Sequence, residues 1–137
     1  HTRRRRQRQM CIRDRIYREK LTEIQYQVTR NDATERAFSG IYDKHFVTGN
    51  YYCICCNHLL FTSKSTYNSG CGWPAFHSEH ENANITRVID KSHGMVRIEV
   101  RCSKCDAHLG HVFEDGPREH GGERYCINSA SLTFKEE

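Results

Sequence analysis

Cysteine dominates the chemistry available to this chain, which holds eight cysteines among its 137 residues. Four of them form two Cys-x-x-Cys pairs, Cys53 with Cys56 and Cys102 with Cys105. Two residues between the cysteines of a pair let both sulfurs reach one ion, and two such pairs complete a tetrahedral site with no position left for water. The spacing therefore predicts one structural Zn2+ site, and free thiols or redox dithiols are the alternative.

A third thiol, Cys55, lies inside the first pair and could replace Cys56 as a ligand. The two-residue spacing favours Cys56, so we interpret Cys55 as a small buried hydrophobic residue. The basic N-terminal stretch lacks the apolar run of a secretory signal. Under those conditions, Cys-x-x-Cys pairs favour a metal site in a reducing compartment over disulfides.

Two further thiols, Cys71 and Cys126, lie outside the predicted metal site. Cys126 follows Arg124 by two positions, and a neighbouring cation favours the reactive thiolate form. Cys71 lies between Gly70 and Gly72, whose backbone freedom would allow its sulfur to move or to be approached closely. A reactive thiol with a second, mobile thiol is the composition of a nucleophile and its resolving partner. Each could instead be a packed core cysteine.

A His-x-x-His pair, His108 and His111, falls in a predicted strand. Residues three apart in a strand point to opposite faces, so one ring could face a pocket while the other lies behind it. Metal ligation and ordinary surface or core histidines are the alternatives. Trp73, the only tryptophan, lies beside Pro74 in a predicted loop, where it could form the wall of a pocket instead of part of the core.

The charge of the chain is unevenly distributed. The formal net charge is +4, but residues 1–20 hold nine Lys or Arg against two acids, which leaves 12 basic and 15 acidic residues in 21–137. A basic arm on a mildly acidic body predicts no nucleic-acid partner. No apolar run reaches the roughly 18 residues needed to cross a bilayer, so the sequence also predicts no membrane partner.

The length fits one domain, which we place at residues 20–137. Residues 1–19 form a separate basic segment that we expect to be disordered or non-native, because residues 1–15 resemble translated sequencing-adapter stretches. A disordered basic tail and a mitochondrial-type presequence are the alternatives. We expect a cytoplasmic monomer, with a mitochondrial location as the alternative.

Short strands must position most of these residues. Thr22 and Gln25 form a capping box that predicts a helix over about 22–30. Two glycines and a proline make 69–74 a loop. Alternation and β-branched residues predict strands over 47–53, 59–61, 85–90, 95–100 and 108–113, and one last strand over 123–134. The fold class is therefore mainly β, with short antiparallel strands and one or two short N-terminal helices.

Taken together, several segments resemble the B-type methionine-R-sulfoxide reductases. They are Ser-Gly-Cys-Gly-Trp-Pro-Ala-Phe (69–76), Arg-Cys-Ser-Lys-Cys (101–105), His-Leu-Gly-His-Val-Phe-Glu-Asp-Gly-Pro (108–117) and Arg-Tyr-Cys-Ile-Asn-Ser-Ala-Ser-Leu (124–132). Thr34-Glu35-Arg36 and Phe38-Ser39-Gly40 also fit. The resemblance covers about residues 20–134, and the two longest segments are specific enough to make chance a poor explanation.

The resemblance implies a zinc-bound fold of two antiparallel sheets that reduces the R epimer of methionine sulfoxide in oxidised proteins. It implies that Cys126 is the nucleophile and Cys71 the resolving thiol, with thioredoxin reducing the resulting disulfide. Trp73 would pack on the S-methyl group of the substrate, and His111 could protonate the sulfoxide oxygen. The residues that would line the pocket are His108, His111, Asp115, Arg124 and Asn128.

The chain departs from the family pattern at Ala37, where proline is frequent, at Ala75, where serine is usual, and at His77, where tyrosine or asparagine often follows phenylalanine. A non-enzymatic zinc-ribbon binding module is the main alternative, and it leaves Cys71 and Cys126 without a role. A zinc-dependent hydrolase that uses the two histidines of 108–111 is a second alternative.

Overall fold

The structure is a computed structural model that describes residues 19–43, 45–91 and 94–136. Apart from Glu19, the predicted basic segment 1–19 lies outside these described residues. Within the described ranges, no helix is long and apolar enough to cross a membrane.

One helix, α1 (Glu23–Arg30), confirms the helix predicted over 22–30. The Thr22 hydroxyl accepts a hydrogen bond from the Gln25 backbone N–H, and the Gln25 side chain accepts one from the Thr22 backbone N–H. This reciprocal cap satisfies two amides that would otherwise lack partners at the start of the helix. The buried face of α1, which includes Val28, packs against residues 108–113 and 129–131.

The fold is built on two antiparallel sheets, one of three strands and one of five, as predicted. The strands are β1 (Gly49–Cys53), β2 (Leu59–Thr62), β3 (Ala75–Phe76), β4 (Thr86–Asp90), β5 (Arg97–Arg101), β6 (His108–Phe113), β7 (Arg124–Ile127) and β8 (Leu132–Glu136). The smaller sheet has the order β2-β1-β8 and the larger sheet has the order β3-β7-β6-β5-β4. The short strand β3 falls just after the predicted loop and has no counterpart among the predicted strands.

Both sheets contribute to one hydrophobic core. Phe61 of β2 stacks on Phe76 of β3 with ring centroids 4.1 Å apart, and Tyr51 of β1 meets Phe76 edge-on at 5.1 Å. Aromatic pairs of this kind contribute about 0.5–1.5 kcal/mol each beyond the area they bury. Val100 and Ile127 of the larger sheet are fully buried in the same core. One face of the larger sheet is therefore committed to packing, which leaves its other face for a site.

The prediction of a single last strand over 123–134 is wrong. β7 ends at Ile127, a 3-10 turn spans Ser129–Ser131, and β8 begins at Leu132 in the other sheet. The Ser131 hydroxyl donates to the Asn128 carbonyl at 2.7 Å and stabilises the turn. Residues on both sides of the turn favour β structure, so propensity alone does not show that the chain changes sheets here.

Candidate active site and metal centre

Four cysteines from the two Cys-x-x-Cys pairs are positioned to bind one metal ion. The sulfurs of Cys53 and Cys105 lie 3.5 Å apart, as do those of Cys56 and Cys102, and all four lie within 4.8 Å of one another. A tetrahedral ion with metal–sulfur bonds of about 2.3 Å requires sulfur–sulfur separations of about 3.8 Å. The four thiols therefore fit such an ion, and the buried Cys55 lies outside the set.

The two pairs are held by turns of the same construction. The Asn57 N–H donates to the Cys53 carbonyl at 2.8 Å, and the Asp106 N–H donates to the Cys102 carbonyl at 2.9 Å. Asn57 and Asp106 both have a φ of 63°, a left-handed conformation that Asn and Asp tolerate better than most residues. One pair extends β1 of the smaller sheet and the other follows β5 of the larger sheet, so a bound ion would join the two sheets.

The register of the larger sheet brings the other predicted site residues together. Cys126 of β7 lies opposite His111 of β6, which lies opposite Glu99 of β5. Directly opposite residues in antiparallel strands project from the same face of a sheet, so these three form one row. The next row on that face pairs Arg124 with Phe113 and Arg97 with Asp90.

The prediction that His108 and His111 point to opposite faces is wrong. Arg101 lies opposite His108, whereas Val100 lies opposite Gly110, so the pairing of β5 with β6 shifts by one residue between them. A β-bulge of this kind resets the alternation of side chains along the strand. The two imidazole rings consequently lie on the same side, with centroids 5.7 Å apart.

A cleft of about 240 Å³ opens on this face of the sheet. Its walls include six of the predicted site residues, namely Cys71, Trp73, His111, Arg124, Cys126 and Asn128. Four lining residues were not predicted from the sequence: Thr34, Arg97, Gly110 and Phe113. His108 and Asp115, two predicted pocket residues, do not line the cleft: His108 binds Glu99 beside it, and Asp115 binds Arg124 of its wall.

Cys71 and Cys126 are 55 positions apart in the chain, yet their sulfurs lie 3.4 Å apart. Cys126 is in β7, and Cys71 is in the predicted loop, where Gly70 and Gly72 have φ values of 75° and 90°. Those left-handed conformations are ones that glycine adopts without strain. The loop also lets the Cys71 sulfur donate to the Trp73 carbonyl at 3.3 Å.

The contact between the two sulfurs shifts their pKa values in opposite directions. The hydrogen bond from Cys126 lowers the pKa of Cys71 to about 5, with smaller contributions from Ser69 and Arg124. The same bond, followed by burial, raises the pKa of Cys126 and outweighs the lowering by Arg124. The sequence alone favoured an ionised Cys126, whereas in this arrangement the pair carries its negative charge on Cys71.

His111 is oriented by a carboxylate. Its Nε2 lies 2.9 Å from the Asp90 carboxylate, which also accepts a hydrogen bond from Arg97 at 3.3 Å. Burial lowers the pKa of His111; the bond to Asp90 raises it, and the charge of Arg97 lowers it further. The imidazole is therefore neutral at neutral pH, with its Nε2 facing Asp90.

Arg124 is fixed from two sides. Its guanidinium makes two hydrogen bonds to the Asp115 carboxylate, at 2.8 and 3.1 Å, and its central carbon lies 4.5 Å above the Phe113 ring. The bond from Arg124 lowers the pKa of Asp115. Asp115 is largely exposed and outside the cleft, so it acts on the site by orienting Arg124.

His108 belongs to a buried ion-pair network next to the cleft. Its Nδ1 lies 2.5 Å from the Glu99 carboxylate, which also binds Arg101 at 2.6 Å. Burial opposes ionisation of Glu99, but the bonds from His108 and Arg101 lower its pKa overall. The ligand atoms of Asp32, Glu99 and His108 lie close enough to hold an ion, but the Arg101 guanidinium already binds both carboxylates.

The side chains of Asn128 and Trp73 both bind the main chain of Glu35. The Asn128 amide donates to the Leu109 carbonyl at 2.9 Å and accepts from the Glu35 N–H at 3.0 Å, and only 2% of its surface is exposed. The Trp73 indole N–H donates to the Glu35 carbonyl at 3.0 Å. The sequence singled out Glu35 only as part of a motif, and its contacts with both residues depend on the fold.

The described residues thus contain four cysteines placed to bind one metal ion and, apart from them, two thiols in contact within a cleft. A family model described as the SelR domain matches residues 21–136, and the chain belongs to that family. This membership confirms the resemblance found in the sequence.

Curated relatives match over most of their length. The chain is 55% identical over 121 residues to a peptide methionine sulfoxide reductase MsrB of Hahella chejuensis, covering 88% of this chain and 86% of the relative. It is 54% identical over 112 residues to a probable methionine-R-sulfoxide reductase B of Caenorhabditis elegans, covering 81% and 74%. Among solved structures, the Yippee-like domain of Mis18 aligns with a TM-score of 0.51 at 16% identity, covering 66% of this chain and 97% of that chain. That last likeness is one of fold alone.

Proposed function

We propose that this chain reduces the R epimer of peptide-bound methionine sulfoxide to methionine, with thiols as the source of electrons. The observation that carries the proposal is the pair of sulfurs 3.4 Å apart in the cleft, Cys71 and Cys126, neither of which belongs to the metal centre. The names of the relatives, which specify methionine sulfoxide, support the substrate.

In the first step Cys126 attacks the sulfur of the sulfoxide. The Cys71 sulfur lies 3.4 Å from the Cys126 sulfur, so in its thiolate form it can accept the Cys126 proton as the nucleophile forms. The sulfoxide oxygen takes up a proton, which the protonated form of His111, a residue of the cleft wall, supplies. The methionine sulfur gains two electrons and leaves, while Cys126 becomes a sulfenic acid.

In the second step Cys71, now a thiol, attacks the Cys126 sulfenic acid. A disulfide forms between the two sulfurs, and the proton of Cys71 leaves with the sulfenic hydroxyl as water. Little movement is needed, because the sulfurs must close from 3.4 Å to about 2.05 Å. Thioredoxin or a small dithiol then reduces the disulfide by thiol–disulfide exchange and restores both thiols.

The cleft fits a single side chain better than a large ligand. Its volume of about 240 Å³ lies below the roughly 300–1,000 Å³ of drug-sized sites. Trp73 and Phe113 provide apolar walls for the S-methyl group, while Arg97, His111 and Arg124 provide polar groups for the oxygen. Discrimination between the two sulfoxide epimers follows if the methyl and oxygen sides cannot be exchanged.

The metal in this proposal is one structural Zn2+ held by Cys53, Cys56, Cys102 and Cys105. Four thiolates complete its coordination, which leaves no ligand position for substrate. Hydrolysis that uses His108 and His111 receives no support from the geometry, because Glu99 and Asp90 already bind these histidines.

The proposal is tested with R- and S-sulfoxides of one methionine-containing peptide, offered separately with thioredoxin or dithiothreitol. We expect reduction of the R epimer alone. Cys71→Ser should give about one turnover with thioredoxin and many with dithiothreitol, because the resolving disulfide cannot form. The matched control Cys55→Ala should turn over fully with both reductants. Equal rates on the two epimers, or full thioredoxin turnover by Cys71→Ser, would contradict the proposal.

A further inference from the structure

Glu35 is a buried carboxylate behind the cleft that the proposed mechanism does not use. Only 4% of its surface is exposed. Its Oε1 accepts a hydrogen bond from the Ala130 N–H at 2.8 Å, and hydrogen bonding by Ser129 also favours its ionised form, although burial raises its pKa overall. Ala130 and Ser129 belong to the 3-10 turn that directly follows β7. The Glu35 side chain thus joins the segment around residue 35 to the 3-10 turn that follows Cys126 in the chain.

The main chain of the same residue holds two walls of the cleft. The Glu35 carbonyl accepts the Trp73 indole N–H, and the Glu35 N–H binds the Asn128 side-chain oxygen, both at 3.0 Å. Among the described residues, the Trp73 indole N–H has no other hydrogen-bond partner. Because the carboxylate fixes the position of its own backbone, it also fixes the groups that this backbone binds.

Gly40 lies directly against the Glu35 carboxylate and the Ser129 hydroxyl. A Cβ atom on Gly40 would lie 2.3 Å from the Glu35 Oε2 and 2.1 Å from the Ser129 hydroxyl oxygen. Gly40 therefore closes over the carboxylate at a distance that no larger residue permits. The arrangement couples Gly40, Glu35 and the 129–131 turn as one packed unit.

We propose that Glu35 is a positioning residue of the active site, which holds Trp73 and the turn behind Cys126 in place and so sets how tightly the substrate is bound. This inference deepens the proposed function and rests on it. It makes Glu35 act through other residues, since Glu35 is not among the residues that line the cleft.

The test uses the metal-loaded Glu35→Ala protein. Trp73 is the only tryptophan, so its fluorescence reports on that wall without interference. We expect a red-shifted emission and about twofold stronger quenching by acrylamide, because the indole loses its fixed partner and becomes more solvated. In kinetics, we expect KM for the R-sulfoxide peptide to rise about tenfold, with kcat reduced less than KM is raised.

Three variants keep the test decisive. Glu35→Gln retains one acceptor for the Ala130 N–H and should show smaller changes of the same kind. Gly40→Ala displaces the carboxylate without removing it and should reproduce the fluorescence change even if Glu35→Ala fails to fold. Arg36→Ala changes the exposed neighbour and should leave both emission and KM at their wild-type values.

A purely structural role predicts a lower free energy of unfolding with unchanged emission, quenching and KM in the folded protein. That result in Glu35→Gln and Gly40→Ala would overturn the inference. The fluorescence measurement needs no turnover, so it is independent of the proposed reaction. If the proposed reaction is wrong, the wild-type protein will be inactive on the sulfoxide, while the variants still show the expected changes in Trp73 emission and quenching.

Discussion

The metal centre and the cleft both use pairs of cysteines, but the backbone holds the sulfurs in different ways. At the metal centre, two turns of the same construction aim all four sulfurs at one point, and three of the four cysteines are buried. In the cleft, a strand residue, Cys126, meets a loop residue, Cys71, that has a positive-φ glycine on each side. Rigid turns suit thiolates that must hold an ion, whereas a sulfur that must change partners needs a more adaptable backbone.

Of the changes proposed here, loss of one metal ligand should destabilise the protein most. Cys102→Ser should leave the protein largely unfolded at 25 °C, because the binding energy of structural zinc, about 10–16 kcal/mol in small domains, rivals the whole stability of a domain. Circular dichroism and measurement of bound zinc check this. Cys55→Ala, a change of a buried neighbour outside the ligand set, should keep both the fold and one equivalent of metal. A cooperative, wild-type melt of metal-free Cys102→Ser would contradict the role of the site.

The cleft should respond in the opposite way. Cys126→Ser should lower kcat/KM for the R-sulfoxide by at least about 10³-fold, because an alcohol is a far poorer nucleophile than a thiol at neutral pH. The melting temperature and zinc content should stay within error of the wild type. Retained turnover would show that the nucleophile lies elsewhere.

A subtler difference concerns which cleft thiol is ionised. The pKa of Cys71 is lowered to about 5 and that of Cys126 is raised, so at pH 6.5 iodoacetamide should label Cys71 first in the reduced, metal-loaded protein. In Cys71→Ser, Cys126 loses the bond that most raises its pKa and should label several-fold faster than in the wild type. Peptide mapping by mass spectrometry after a short exposure checks both statements. Preferential labelling of Cys126 in the wild type would reverse the assignment of the charge.

The smallest expected effect concerns pH. If the protonated form of His111 supplies the proton, kcat/KM falls as pH rises through the pKa of His111, which burial holds below its usual range. Asp90→Asn removes a bond that raises this pKa, so the falling limb should move to lower pH and activity at pH 7 should drop about threefold or more. A pH profile of both proteins measures the shift. An unmoved limb would mean that another group gives the proton.

Local patterns in the sequence were enough to predict part of this molecule. The capping box located α1, and the alternation in residues 95–100 predicted a strand where β5 lies. The spacing of the two Cys-x-x-Cys pairs selected four cysteines that the fold brings together and left out Cys55. Each of these signals is contained within a few neighbouring residues, which is why it can be read without the fold.

Features that depend on pairing between distant strands could not be predicted in this way. The bulge that turns His108 toward the side of His111 exists only relative to β5, and the change of sheet after Ile127 exists only relative to β1. The contacts of Asp90 with His111 and of Glu35 with Trp73 join residues far apart in the chain. The raised pKa of Cys126 could not be predicted for the same reason, because its largest cause is the hydrogen bond with Cys71, which is distant in sequence.

The bulge in β6 makes the number of residues in that strand as consequential as their identity. Deleting one residue between Gly110 and Phe113 would shift the pairing of β6 with its neighbouring strands by one position, and side chains on one side of the deletion would then exchange faces. Substitutions along β6 can be accommodated one at a time, but a single-codon deletion would send an imidazole into the apolar interior or an aliphatic chain into the solvent. Engineering of this domain should therefore vary side chains in β6 and leave its length untouched.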